Sequence, residues 1–95
     1  MPEMWFRVSW PDGSETENYS PSLVIRDYFK FGESYALDDF LQRIRAALQI
    51  ASDRVEAKYG FPCSRARATL SAIERQAGEF VVQRDPRITI LEVLP

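Results

Sequence analysis

The 95-residue sequence contains no histidine, one cysteine and four glycines. Without histidine there is no Ser-His-Asp triad, no Cys-His pair and no His-ligated zinc. A single cysteine excludes an internal disulfide, a CxxC redox pair and a Cys-rich metal site. No GxxxxGKS or GxxxxGKT run is present, so no glycine-rich loop is available to cradle a phosphate. The Asp12-Gly13 pair lacks the alternating oxygen ligands and closing Glu of a calcium loop. No cofactor or metal is therefore expected. No window approaches 18 uncharged apolar residues, so no membrane span is expected either. The start, MPEMWFRV, lacks the basic and then apolar segments of a secretory signal. With the lone thiol, this makes the cytoplasm the expected location.

What the sequence does have is enough apolar material for one core. Hydrophobic residues make up 45% of the chain and aromatics 13%. A chain of this length buries roughly 60–70% of its unfolded surface without disulfides or metals, so residues 1–95 are expected to form one α+β domain. The formal charge of −2 hides an asymmetry. Residues 1–39 carry three basic and eight acidic side chains, a net −5; residues 40–95 carry nine basic and six acidic, a net +3. An uneven solvated surface accounts for this, and so does a molecule that docks charged faces on partners. No Lys/Arg-rich run or basic-aromatic strand is present, so nucleic acid is not an expected partner.

Residues 4–10 alternate, with Met4, Phe6, Val8 and Trp10 on one face and Trp5, Arg7 and Ser9 on the other. Pro11-Asp12-Gly13-Ser14 supplies turn chemistry, and the poorly apolar residues 14–19 read as an edge strand completing a β-hairpin. Ser20-Pro21 reads as a helix start, with Ser20 as cap and Pro21 in the first turn. Residues 23–29 then form a short helix or irregular turn, a third strand being the competing reading. Over residues 36–59, Leu37, Phe40, Leu41, Ile44, Leu48, Ala51, Val55 and Tyr59 recur at three- and four-residue steps. They predict an amphipathic helix about 36 Å long. Asp38 and Asp39 suit its first turn, and Gly60 and Pro62 suit its end. A second helix over about 64–80 carries Ala66, Leu70, Ile73, Ala77 and Phe80, with Ser64 as its expected cap. After Asp85-Pro86, residues 87–94 form the last strand, apolar on both faces. The predicted architecture is a small three-stranded sheet, the N-terminal hairpin plus the C-terminal strand in order 2-1-3. Two amphipathic helices pack on one face of it.

Cys63 is the sharpest chemical candidate. A helix start flanked by Arg65 and Arg67 favours thiolate, the nucleophilic form. The bland reading is a small residue packed after the Phe61-Pro62 turn, and the Cys/Arg spacing of a phosphatase loop is not met because position 69 is Thr. Asp38 and Asp39 point about 100° apart on a helix and cannot flank one bond as an acid/base pair. Aromatic residues crowd the first 35 positions. Core packing explains many of them, but Trp5, Trp10, Tyr19, Arg26, Tyr28 and Phe31 are also the residue types that dominate interfaces.

Further signals lie in the strings themselves. Phe6-Arg7-Val8-Ser9-Trp10-Pro11-Asp12-Gly13-Ser14 is followed by Tyr19-Ser20-Pro21-Ser22-Leu23-Val24-Ile25-Arg26-Asp27-Tyr28-Phe29. Later come Gly32-Glu33-Ser34-Tyr35, Asp39-Phe40-Leu41, Ala51-Ser52-Asp53-Arg54-Val55, Tyr59-Gly60-Phe61 and Cys63-Ser64. With these the chain resembles a family of short bacterial nitrogen starvation response proteins. The resemblance implies a gene cluster with a nitrilase, a radical-SAM protein, an acetyltransferase and a flavoprotein, linked to nitrogen starvation and cyanide use. It brings no catalytic residues with it.

Three functional readings follow. In the first, the chain is a non-catalytic accessory protein acting by contact with enzymes of that cluster. In the second, it is a small enzyme or ligand carrier using Cys63 or a Tyr19/Ser20/Arg26 cluster. In the third, it is a structural homodimer joined through the last strand or the Trp5 face.

Overall fold

A computed structural model describes residues 3–91. The hairpin forms as its turn chemistry predicts. β1 (Met4–Ser9) and β2 (Glu15–Ser20) pair antiparallel, from Met4 opposite Ser20 to Ser9 opposite Glu15. The turn is closed by Gly13 N–H donating to the Trp10 carbonyl at 2.9 Å and Trp10 N–H donating to the Ser14 carbonyl at 2.8 Å. Gly13 takes φ +88°, which favours a residue without Cβ. The Asp12 carboxylate accepts from Ser14 N–H at 2.9 Å and Ser14 Oγ at 2.6 Å, and these bonds hold its pKa below the usual Asp value.

The α+β class holds, but the sheet has four strands in order β2-β1-β4-β3. β4 (Arg87–Leu91) lies beside β1, as expected of the last strand, and β2 is an edge. The additional strand is β3 (Ser34–Ala36), antiparallel to β4. Three residues are too few to show a period of two. The pairing comes from tertiary bonds, Gly32 N–H to the Ile90 carbonyl at 2.6 Å and Ile90 N–H to the Glu33 carbonyl at 3.1 Å. Val93 and Leu94, assigned to the last strand from the sequence, lie outside the described residues.

The short helix is a single turn, α1 (Ile25–Tyr28), and it is not capped by Ser20. Ser20 belongs to β2 and is buried. Its hydroxyl donates to the Ser22 carbonyl at 2.7 Å and accepts from Ser22 N–H at 3.3 Å. That local turn delays the helix past Pro21.

α2 (Leu37–Tyr59) ends at Gly60, whose φ of +87° and N–H to the Glu56 carbonyl form the expected left-handed stop. Asp39 and Arg43 pair one turn apart at 3.1 Å. Leu37, Phe40, Ile44, Leu48 and Ala51 are buried, as the stripe predicts. The stripe runs past the core, however: Val55 is half-buried and Tyr59 is 57% exposed. α3 (Ser64–Gly78) returns along α2. Its N-cap is Cys63 rather than Ser64, with Sγ accepting from Ala66 N–H at 3.4 Å. Ser52 Oγ accepts from Cys63 N–H at 3.3 Å, and Arg45 Nη2 meets Glu74 at 2.8 Å; together they set the register of the helix pair.

Both helices cover the sheet face that carries Met4, Phe6, Val8, Ile88 and Ile90, and these residues meet Phe40, Ile44, Leu48 and Ile73 in the core. Full burial of such side chains contributes roughly 1.5–3 kcal/mol each. Among the described residues, no helix lies over the opposite face, which carries Trp5, Arg7, Ser9, Glu15, Glu17, Tyr19, Thr89 and Leu91. The alternation of buried and more exposed residues along β1 and β4 marks the difference.

Candidate functional site

The uncovered sheet face ends in an aromatic corner. The hairpin register sets Trp5 opposite Tyr19, and their rings meet edge to face at 5.5 Å between centroids. Tyr19 Oη donates to Glu3 Oε2 at 2.9 Å. α3 runs beside β2, so its first turn brings the Arg65 guanidinium over the Tyr19 ring, 3.7 Å from the centroid. Burial, then the hydrogen bond to Glu3 and that carboxylate's charge, raise the Tyr19 phenol above its ordinary pKa of 10.0; Arg65 opposes them. Tyr19 is therefore a neutral donor at physiological pH. Trp5 is 39% exposed. One row further along, Arg7 binds Glu17 at 2.7 Å and lies 3.9 Å from Glu15.

This corner unites Trp5, Tyr19 and Arg65, which the sequence had assigned to two separate readings. It also recruits Glu3, which sequence reasoning missed. The strand period places Glu3 on the Trp5 face, but its role depends on the hairpin register that brings Tyr19 opposite.

The other singled-out residues go elsewhere. Trp10 does not lie on an interface: it is 2% exposed, stacked on Phe80 at 5.9 Å, with Nε1 donating to Thr16 Oγ1 at 2.9 Å. Tyr28 and Phe31 are half-buried against the core, and the Tyr28 carbonyl accepts from Arg43 Nη1 at 2.8 Å. Arg26 is exposed beside a shallow depression of about 350 Å³ that also includes Lys30, Glu33, Tyr35 and Arg43. The Tyr19/Ser20/Arg26 cluster does not form, because neighbouring strand residues face opposite sides of the sheet. Tyr19 faces outward, and Ser20 is buried with its hydroxyl in a local turn.

The basic pair expected around Cys63 also separates. Residues two apart on a helix point about 200° apart. Arg65 turns to Tyr19, whereas Arg67 lines a groove of about 260 Å³ between α2 and α3 with Ser52, Asp53 and Glu56. The Cys63 thiol is half-buried and serves as the helix cap. Among the described residues, no group of three His, Cys, Asp or Glu side chains is placed to hold a metal ion. Among the same residues, no helix is long and apolar enough to cross a membrane.

The corner thus brings together an aromatic edge, a phenol held by Glu3 and a stacked guanidinium. Over residues 5–93 the chain matches the family described as nitrogen starvation-induced protein NitG, and it belongs to that family. No curated protein and no solved structure matches it. The description of that family points to a role in nitrogen starvation.

Proposed function

We propose that the protein acts in the nitrogen starvation response as a non-catalytic accessory, by contact with another protein through the uncovered sheet face at Trp5 and Tyr19. The observation that carries this reading is the large, partly exposed Trp5 ring, packed against Tyr19 on a face that no helix among the described residues covers. Trp, Tyr and Arg are the residue types that dominate binding hot spots, and here all three meet at one corner. The partners that the family resemblance suggests are the nitrilase, the radical-SAM protein and the other enzymes of the gene cluster. A cytoplasmic setting fits such partners.

The Cys63 reading is the weaker one. Its Sγ accepts the Ala66 N–H as a helix cap, while Arg65 stacks on Tyr19 and Arg67 lines the groove between α2 and α3. The test is co-purification of tagged protein with each cluster enzyme from nitrogen-starved cells. Wild type should recover at least one of them, and Trp5→Ala should reduce that recovery several-fold. Recovery of none above background, or equal recovery by Trp5→Ala, overturns the reading.

A further inference from the structure

We infer that the Arg65 guanidinium, stacked on Tyr19 beside Trp5, is a receptor for a carboxylate on an acidic segment of the partner protein; the inference rests on the contact surface proposed above. At 3.7 Å from the Tyr19 centroid, the guanidinium is in van der Waals contact with the ring. An aromatic face attracts the cation but offers no lone pair in the directions of the five N–H donors. Among the described residues, no carboxylate lies within ion-pair distance of Arg65. Glu3, the acid on the same ring, accepts the Tyr19 hydroxyl. The other cation nearby, Arg7, is held between Glu17 and Glu15. Arg65 is therefore the cation at this corner whose hydrogen-bonding fork is open, and stacking has already restricted its rotamers. A planar fork of that kind matches a carboxylate through two parallel bonds.

The surroundings select among anions. The Glu3 carboxylate sits on the same phenol and repels a phosphate dianion about twice as strongly as a single carboxylate. Trp5 lies next to the site and is open to solvent, so an apolar side chain beside the acid has somewhere to pack. Charge complementarity disfavours neutral or basic segments, which would leave Arg65 unpaired once water is excluded. The fitting partner chemistry is an extended segment with Asp or Glu next to a large apolar residue.

The experiment titrates the ¹⁵N-labelled full chain with a blocked hexapeptide alternating leucine and glutamate. The same peptide is tested with glutamine, lysine or phosphoserine in place of glutamate. The indole N–H of Trp5 is the reporter, and that of buried Trp10 monitors the fold. The glutamate peptide should shift Trp5 saturably and bind at least tenfold more tightly than the glutamine peptide. Arg65→Gln should bring it down to the glutamine level, and Arg65→Lys should weaken it several-fold because the fork is lost. Equal binding of the glutamate and glutamine peptides overturns the inference. So does preference for lysine or phosphoserine, binding that survives Arg65→Gln, or the absence of any saturable shift. Trp5-dependent co-purification alongside a negative titration overturns the carboxylate receptor and leaves the contact surface standing. Loss of both overturns the two together.

Discussion

Cys63 joins two helices through ordinary backbone chemistry: its N–H donates to Ser52 and its sulfur caps α3. Serine is a stronger cap than a thiol, so Cys63→Ser should unfold within about 0.5 kcal/mol of wild type, whereas Cys63→Ala should lose about 1 kcal/mol. Urea titration at neutral pH distinguishes the two; equal losses would show that the sulfur does not act as a cap. Tyr19 carries a pH dependence whose sign follows from its environment. Its pKa is raised in the fold by burial first and by the hydrogen bond to Glu3 second, so the native state holds the phenol proton more tightly than the unfolded chain does. The resulting stability is fully present below the ordinary tyrosine pKa of about 10 and is lost as pH rises through the higher folded value. Unfolding curves from pH 8 to 11 should show wild type losing stability faster than Tyr19→Phe. Parallel pH profiles would mean that folding does not raise the Tyr19 pKa, by burial or by the Glu3 bond.

Among the elements, those with a repeating pattern were legible in the sequence and those built on tertiary bonds were not. β1 announced its buried face by alternation, and α2 by its stripe and its glycine stop. β3 did not, because three residues are shorter than the period that identifies a strand; α1 was legible only as a short helix or irregular turn, since a single turn shows no full period. The α2 stripe also overstated the core: Tyr59 continues the pattern, but the sheet ends before it and leaves the ring exposed. At the candidate corner, Trp5 stood out because an indole on the polar side of a strand has no place in the core. Arg65 and Glu3 could not be assigned to it, since that required the register of the hairpin and the line of α3 beside β2. The junction after α2 supplies a clean test of backbone strain. A Cβ at Gly60 would meet no atom within 4 Å, so Gly60→Ala carries only the cost of φ +87°. That cost is about 1 kcal/mol, measurable as a lower urea midpoint with an unchanged slope. No change would mean that the chain leaves the helix by another route.

At the scale of the molecule, the size of the uncovered face decides which contact it can sustain. Four strands at about 4.8 Å spacing and five residues at about 3.4 Å give a face of roughly 300 Å² in projection. Stable partners bury about 800 Å² each. A projection of that size is a small footprint for a permanent homodimer through this sheet alone, and the row of Arg7, Glu17 and Glu15 would set like charges near one another across a two-fold axis. Transient contact anchored by Trp5 needs less surface. The protein should thus sediment as a monomer at tens of micromolar; a concentration-dependent dimer abolished by Trp5→Ala would restore the homodimer reading. The same division of faces predicts opposite behaviour from two aromatic truncations. Phe40 is fully buried between the helices and the sheet and touches the Trp10 and Phe29 rings. Phe40→Ala should lose about 3–5 kcal/mol, a large part of the roughly 5–15 kcal/mol that a domain of this size has. Trp5 has one aromatic neighbour and an open side, so Trp5→Ala should lose at most about 1 kcal/mol while losing partner recovery. A Trp5→Ala variant as unstable as Phe40→Ala would make Trp5 a core residue, and its exposure on the uncovered face would then carry no functional meaning.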